Sequence, residues 1–292
     1  MISINTNNGG LFAAKAASQS QATIDSAMQR LSTGSRINNA KDDAAGQAIA
    51  TRLTAEIQGL EIASRNVADG QSLVDTAEGA LQETHTLLLR MREIGVQAAN
   101  GTLSTSDNEA LDAEFQQLVK EIDRIAQNTT WAGAALLNGD AAGAEDSTAT
   151  FSFQAGVGNN SGNDVFSVTV KNADATTLDI YAEQTVGGVT SNSVGLLSQS
   201  SAQTAIGLVD TAIATVSSER ANLGAVSNRM ASTMANLDQI RVNLTASKGR
   251  IADADFAAET ANLAKGQILQ QAATAMLAQA NASKQQVLTL IR

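Results

Sequence analysis

Cysteine and proline are both missing from the 292 residues. Without cysteine there is no disulfide framework and no thiolate chemistry. Without proline, no slow prolyl isomerisation enters folding and helices can run unbroken. Histidine occurs once, as His85. Aromatic residues make up only 3%, so any core is built from Ala, Leu, Ile and Val. Charged residues are 16%, below the usual quarter. No run of 18 apolar residues exists, so nothing in the sequence reads as a membrane-spanning helix. The opening residues, MISINTNN, carry neither a basic n-region nor an apolar h-region, so no cleaved secretory signal is expected.

What is present is a large apolar fraction, 43%, enough for a sizeable core, together with a net charge of −10. No basic stripe exists, which argues against nucleic acid as a partner. The charge is uneven. Residues 1–40 hold Lys15, Arg30 and Arg36 against Asp25, and residues 250–292 hold four basic and three acidic side chains. The ends are therefore near neutral while residues 41–249 carry −13. Packed ends and a solvated acidic centre follow.

Both ends carry apolar stripes at helical spacing. From Leu269 the stripe runs Leu269, Ala273, Met276, Ala280, Ser283, Val287 and Leu290, widened by Ala272, Leu277, Leu288 and Ile291. At the N-terminus, Ala14, Ala17, Gln21, Ile24, Met28 and Leu31 repeat at three and four. A helix this apolar needs a cover. The expectation is that the two ends pair with each other and with neighbouring copies.

Between the ends, residues 1–12 read as extended, with Ile2 and Ile4 alternating and Gly9-Gly10 breaking any helix. A first helix is expected from Phe12 to Ser32, closed by Gly34. Asp42 or Asp43 suits the next N-cap. The longest stripe follows, from Ile49 through Leu53, Glu56, Leu60, Ala63, Val67, Gly70, Val74, Ala77, Leu81, Thr84 and Leu88 to Met91. Its strict seven-residue period implies coiled-coil-like packing along roughly 60 Å. Residues 106–109, SDNE, resemble a capping box. Leu111, Phe115, Leu118, Ile122 and Ile125 face one side of the helix it would open. Residues 139–195 are rich in Gly, Ser, Thr, Asn and Asp. There Phe151 and Phe153, then Phe166, Val168 and Val170, alternate as in a β-hairpin, with a third short strand expected at 178–181. Helical spacing resumes from Ile206 through Val209, Val216, Leu223, Met230 and Leu237 to Leu244, with a break expected at 248–250.

The expected fold is mainly α: a long antiparallel coiled-coil-like helical bundle with a small β-hairpin insertion and paired N- and C-termini. Three regions are expected: a terminal coiled-coil domain of residues 1–40 and 250–292, a helical rod of 41–138 and 196–249, and a β-hairpin region of 139–195.

No catalytic constellation is visible. His85 sits at the edge of a helical stripe, and no His-Glu-x-x-His or Cys/His metal signature occurs. The glycines at 156, 158 and 162 miss the dinucleotide fingerprint and read as a hairpin turn. Asp42-Asp43 and Asp253-x-Asp255 suit helix N-termini, where carboxylates oppose the dipole. No enzyme activity, cofactor or metal is expected.

Residues 31–50 read LSTGSRINNAKDDAAGQAIA, and residues 90–100 read RMREIGVQAAN. The C-terminal part carries RIADADFAAE at 250–259, KGQILQQ at 265–271 and QVLTLIR at 286–292. These stretches closely resemble bacterial flagellin, and the similar regions cover about three quarters of the chain. The resemblance implies that the two ends form the inner layer of a hollow filament, with the rods one layer outward. It implies a short form without the large variable outer domains. It implies export through the flagellar channel without a cleaved signal peptide, and an extracellular, flagellar location. Implied partners are further copies of the chain, an export chaperone at the C-terminal helix, and filament cap and hook–filament junction proteins. A contact with the animal Toll-like receptor is implied at Arg90, Ile94 and Glu114, although Ile94 replaces a common leucine and Gly95 a common alanine.

The expected function is thus a structural subunit polymerising into the helical flagellar filament for motility. Its terminal helices order between neighbours, with Ala17, Ile24, Met28, Leu31, Leu269, Met276, Leu277, Val287, Leu288 and Leu290 as the polymerisation core. A hook–filament junction protein and a secreted adhesin using the hairpin remain as alternatives.

Overall fold

The computed structural model describes residues 6–138, 148–158, 160, 162, 164–180, 183–186, 189–192 and 194–290; the side chains of 183–192 and 287–290 are not part of that description. Expectations for Ile2, Ile4 and Tyr181, and for the side chains of Val287, Leu288 and Leu290, therefore lie outside the described residues. The elements run α1 (Asn8–Thr33), α2 (Ala44–Ala98), α3 (Thr105–Asn128), β1 (Thr130–Trp131), β2 (Ala134–Ala135), β3 (Thr148–Gln154), β4 (Val165–Lys171), β5 (Glu183–Val186), β6 (Val189–Asn192), α4 (Gln199–Ala252) and α5 (Phe256–Leu290). Among the described residues the strands pair as β1–β2, β3–β4 and β5–β6, each antiparallel. The fold is mainly α with a small β-hairpin, as the spacing predicts.

Helix boundaries follow from local hydrogen bonds, and several differ from the sequence expectation. α1 begins at Asn8, not Phe12, because Asn7 caps it by accepting from the Gly10 backbone N–H at 3.0 Å. Gly9 and Gly10 thus sit in the first turn, where backbone donors lack helical partners anyway. Gly34 ends α1 at φ 69°, a left-handed conformation that glycine adopts without strain. Asp43 caps α2 by accepting from Gly46 N–H at 2.9 Å. Asp42 instead holds the preceding turn through the amides of Asn38 and Asn39. These bonds keep the Asp42 carboxyl below the usual carboxylate range, the Asn39 amide contributing most.

The capping box of α3 is Ser104 with Asp107, two residues before the expected one. Gly249 does not break α4, which continues to Ala252. There the last carbonyls are taken by another segment: Arg36 donates its backbone N–H to Ala252 O at 2.7 Å and its guanidinium to Ile251 O. Ala254 N–H in turn bonds Gly34 O. Asp255 then caps α5 by accepting from Ala257 and Ala258. Residues 178–180 form a turn rather than a strand, with Leu178 N–H on Asp174 O and Ile180 N–H on Ala175 O.

The chain divides into two compact units, residues 1–58 with 241–292 and residues 59–240. In the second unit the expected stripe of α2 is buried at ten successive positions from Leu60 to Met91, and burial continues through Ile94 and Ala98. α3 contributes Phe115, Val119, Ile122 and Ala126. α4 contributes Ala202, Ala205, Val209, Ala212, Val216, Leu223, Met230 and Leu237. Each fully buried large side chain contributes about 1.5–3 kcal/mol relative to solvent. Ion pairs fix helix register at the rim: Arg220 with Glu78, Arg92 with Asp210, and Arg90 with Glu114. The β3–β4 hairpin pairs Phe151 with Val168 and Phe153 with Phe166, as the alternation predicts. It is anchored where Lys171 N–H donates to the buried Glu219 carboxylate and where the Phe153 ring and Met230 close over Gly70. Asp112 and Asp123 of α3 accept from Leu196 and Ala175 amides, tying the flanking segments down.

The terminal helix pair as a candidate assembly surface

In the first unit, α1 and α5 pack antiparallel. Asn7 Nδ2 reaches Ala280 O and Asn281 Oδ1, Gln270 bonds Gln21, and Arg30 donates to Glu259. The contact is made by small residues at seven-residue steps. On α1 these are Ala13, Ser20 and Ala27; on α5 they are Gly266, Ala273 and Ala280, and the buried Glu259 continues the same seven-residue step at one end, where it meets Arg30. Small side chains let the two backbones approach closely. A Cβ built on Gly266 would lie 2.8 Å from Ile24 Cγ1, so residue 266 admits nothing larger without movement.

This seam is not the expected one. On α1 it runs one position before the stripe predicted from Ala14 to Leu31. On α5 it shares only Ala273 and Ala280 with the predicted stripe. The larger side chains flank the seam and stay partly or wholly open. Ala17, Ile24, Leu31 and Leu277 are half-buried. Met28 is 56% exposed, Leu269 48% and Met276 63%, and Phe12, Phe256 and Ile268 lie open beside them. The physical reason is size: at close interaxial distance Leu and Met do not fit between the helices, whereas Ala, Gly and Ser do. The signal that would have placed the seam is the recurrence of small residues at a strict seven-residue step.

On one side of the seam, Phe12, Ala16, Leu269, Ala272 and Met276 line a groove of about 710 Å³. Its walls are carbon-rich, and it lies wholly within this unit. A surface of this kind can bury apolar side chains from another molecule.

The three residues implied for a receptor contact are split by the structure. Arg90 donates to Glu114 through Nε at 3.1 Å and Nη2 at 2.8 Å, and to Glu93 through Nη1. The Glu114 bond is the main reason that the Arg90 guanidinium holds its proton more tightly than usual. Arg90 and Glu114 are exposed, but Ile94 is 1% exposed on the core face of α2. Next to it, a Cβ on Gly95 would lie 3.0 Å from Ile206 Cγ1. His85 is half-buried on α2. Among the described residues no group of three His, Asp or Glu side chains converges.

Comparison with known proteins places this geometry. The family model for the bacterial flagellin N-terminal helical region matches residues 4–142, and that for the bacterial flagellin C-terminal helical region matches 206–291. A flagellin of Halalkalibacterium halodurans is 44% identical over 266 residues, covering 91% of each chain. The flagellar filament 33 kDa core protein of Treponema phagedenis is 37% identical, covering 99% of each chain. A solved structure from Vibrio parahaemolyticus, named for the flagellar hook-associated proteins, matches with a TM-score of 0.57 over 73% of this chain and 100% of that one. Its 14% identity speaks to fold alone. The paired family matches at both ends and the full-length relatives agree with the helix pair described above: the chain belongs to the bacterial flagellin family and is a structural subunit of the flagellar filament.

Proposed function

We propose that the α1–α5 pair is the surface through which subunits join, with Ala17, Ile24, Met28, Leu31, Leu269, Met276, Leu277, Val287, Leu288 and Leu290 packing against neighbouring copies. One observation carries this reading: the pair makes its own contact with small residues and leaves large apolar ones in solvent, Phe12 at 75% and Met276 at 63% exposed. Removing such side chains from water in a polymer supplies about 25 cal/mol per Å² buried. A filament subunit repeats one heterologous contact that does not close, which yields an open helical assembly. In the isolated subunit this burial is missing, so the ends order fully only on stacking. On this reading residues 1–40 and 250–292 form the inner layer, residues 41–138 and 196–249 the next, and 139–195 a small outward feature. The role is structural rather than catalytic.

The partner set follows the same reading. A chaperone holding α5 before export would cover the same apolar flank, and cap and junction proteins would meet it at the filament ends. Arg90 and Glu114 are the exposed part of any receptor contact. Met276→Asp and Leu277→Asp should abolish filament growth in negative-stain microscopy, while the monomers keep their helical circular dichroism. Normal filaments from either variant would overturn the proposal. Removing residues 1–40 and 256–292 should leave a soluble monomer, and polymerisation of that fragment would show that the ends do not drive assembly.

A further inference from the structure

The five methionines among the described residues are sorted by burial. Met91 and Met230 are fully enclosed, and Met234 is half-buried. Met28 on α1 and Met276 on α5 are 56% and 63% exposed. Among the described methionines the two open thioethers therefore both lie on the terminal helix pair, one on each helix. Met276 lines the apolar groove with Phe12 and Leu269. Met28 sits on α1 one residue beyond Ala27 of the seam and faces solvent.

From this placement we propose that Met28 and Met276 are an oxidant-sensitive modification site that switches off assembly of the free subunit. The co-reactant is a hydroperoxide, with hydrogen peroxide the simplest. The thioether sulfur gives a lone pair to the nearer peroxide oxygen. An S–O bond forms and the O–O bond breaks. The departing hydroxide takes up the proton left on the transferred oxygen and leaves as water. Sulfur is oxidised by two electrons and the peroxide is reduced by two. The product, methionine sulfoxide, is polar and chiral where the parent side chain was apolar and adaptable. Burying that oxygen against a neighbouring subunit demands its desolvation, so the modified chain joins the filament poorly. Once a subunit is assembled, the same sulfurs are covered and react slowly. Sulfoxide is reversible by methionine sulfoxide reductases, so the block is temporary rather than a loss of the chain.

This inference rests on the assembly surface proposed above, and its test separates the two. Purified full-length subunit is treated with hydrogen peroxide before assembly, mapped by peptide mass spectrometry, and followed by turbidity and microscopy. One added oxygen is expected at Met28 and at Met276, none at Met91 or Met230, and an assembly rate reduced by about tenfold or more relative to untreated protein. Reductase treatment is expected to restore the rate. The M28L/M276L variant is compared only with itself, and its treated and untreated rates should agree whatever their absolute value. If that variant loses assembly after peroxide as the natural chain does, or if the doubly oxidised natural chain assembles at its untreated rate, the switch is overturned. If preformed filaments take up oxygen at Met28 and Met276 as fast as free subunits do, the helix pair is not buried on assembly and the underlying surface falls as well.

Discussion

Arg30 Nη1 donates to Glu259 Oε1 at 2.8 Å, joining two residues 229 positions apart in sequence across the α1–α5 seam. The Glu259 side chain is only 10% exposed, against 30% for Arg30. Glu259 has one further partner, Asn262 Nδ2 at 3.4 Å. The pair sits at the end of the small-residue seam nearest the α4–α5 joint, where it fixes the register of the two helices.

Arg30→Ala should therefore strip an almost enclosed carboxylate of its main partner. The expected cost is about 1–3 kcal/mol, less than for a fully buried pair because Arg30 is partly solvated. Glu259→Gln should cost less, since the amide oxygen still accepts from Arg30. Hydrogen exchange along α1 and α5 in assembled subunits, where the pair is fully ordered, is the measurement. Equal exchange in Arg30→Ala and the natural chain would show that the pair does not hold the register.

Glycines in long helices make opposite predictions depending on what faces them. Gly266 has Ile24 Cγ1 2.8 Å from a built Cβ, so Gly266→Leu should force α1 and α5 apart and lower the stability of the pair by about 1–3 kcal/mol. Gly207 on α4 has nothing within 4 Å. There Gly207→Ala should stabilise by about 1 kcal/mol through helix propensity alone. Thermal unfolding of both variants tests the contrast, and a shift of the same sign in both would contradict it.

The sequence made some of this plain and hid the rest, for physical reasons. The α2 stripe is readable because Leu60, Val67, Val74, Leu81 and Leu88 are large enough to stand out against polar neighbours, and all five are buried. The hairpin is readable because Phe166, Val168 and Val170 alternate with exposed residues. The α1–α5 seam is nearly silent, because Ala13, Ala27, Gly266 and Ala273 carry little hydrophobic signal. The louder pattern of Leu269, Met276 and Met28 marks the side chains left outside it. Residues 178–180 misled by composition: Leu178 and Ile180 are buried, but from a turn held by Asp174, whose carboxylate accepts from Thr177 N–H. The cap of α3 was displaced by two residues because both Ser104 and Ser106 stand before acidic residues at compatible spacing.

That cap gives a pH dependence. Asp107 accepts from both the hydroxyl and the backbone N–H of Ser104, and the hydroxyl bond is the largest reason that its carboxyl lies below the usual aspartate range. A carboxyl with a lowered folded-state pKa contributes stability that is present above its unfolded value, about 3.9. The contribution is lost as pH falls through the folded-state value. The first turn of α3 should therefore fray in acid below about pH 4, and Asp107→Asn should remove this part of the acid sensitivity. Amide exchange at residues 105–108 across the acid range would check it. An unchanged acid response in Asp107→Asn would assign the fraying to another group.

The hairpin offers the last test. The Arg229 guanidinium lies 3.9 Å above the centre of the Phe166 ring, and Phe166 is 5% exposed and paired with Phe153 across the strands. Phe166→Ala removes a buried ring and should destabilise the second unit by about 3–5 kcal/mol. Most of that cost is packing, so the cation must be separated from it. Arg229→Met keeps the aliphatic stem but not the charge, and Phe166→Leu keeps apolar bulk but not the ring. The double-mutant cycle on these two changes should return a coupling of about 0.5–1 kcal/mol, the size found for partly exposed cation–π contacts. Trp131, the single tryptophan, lies in the same unit and reports its unfolding by fluorescence. Strict additivity of the two substitutions would reduce the Arg229–Phe166 contact to simple packing, with the hairpin held by its ladder, the Phe153–Gly70 contact and the Lys171–Glu219 bond.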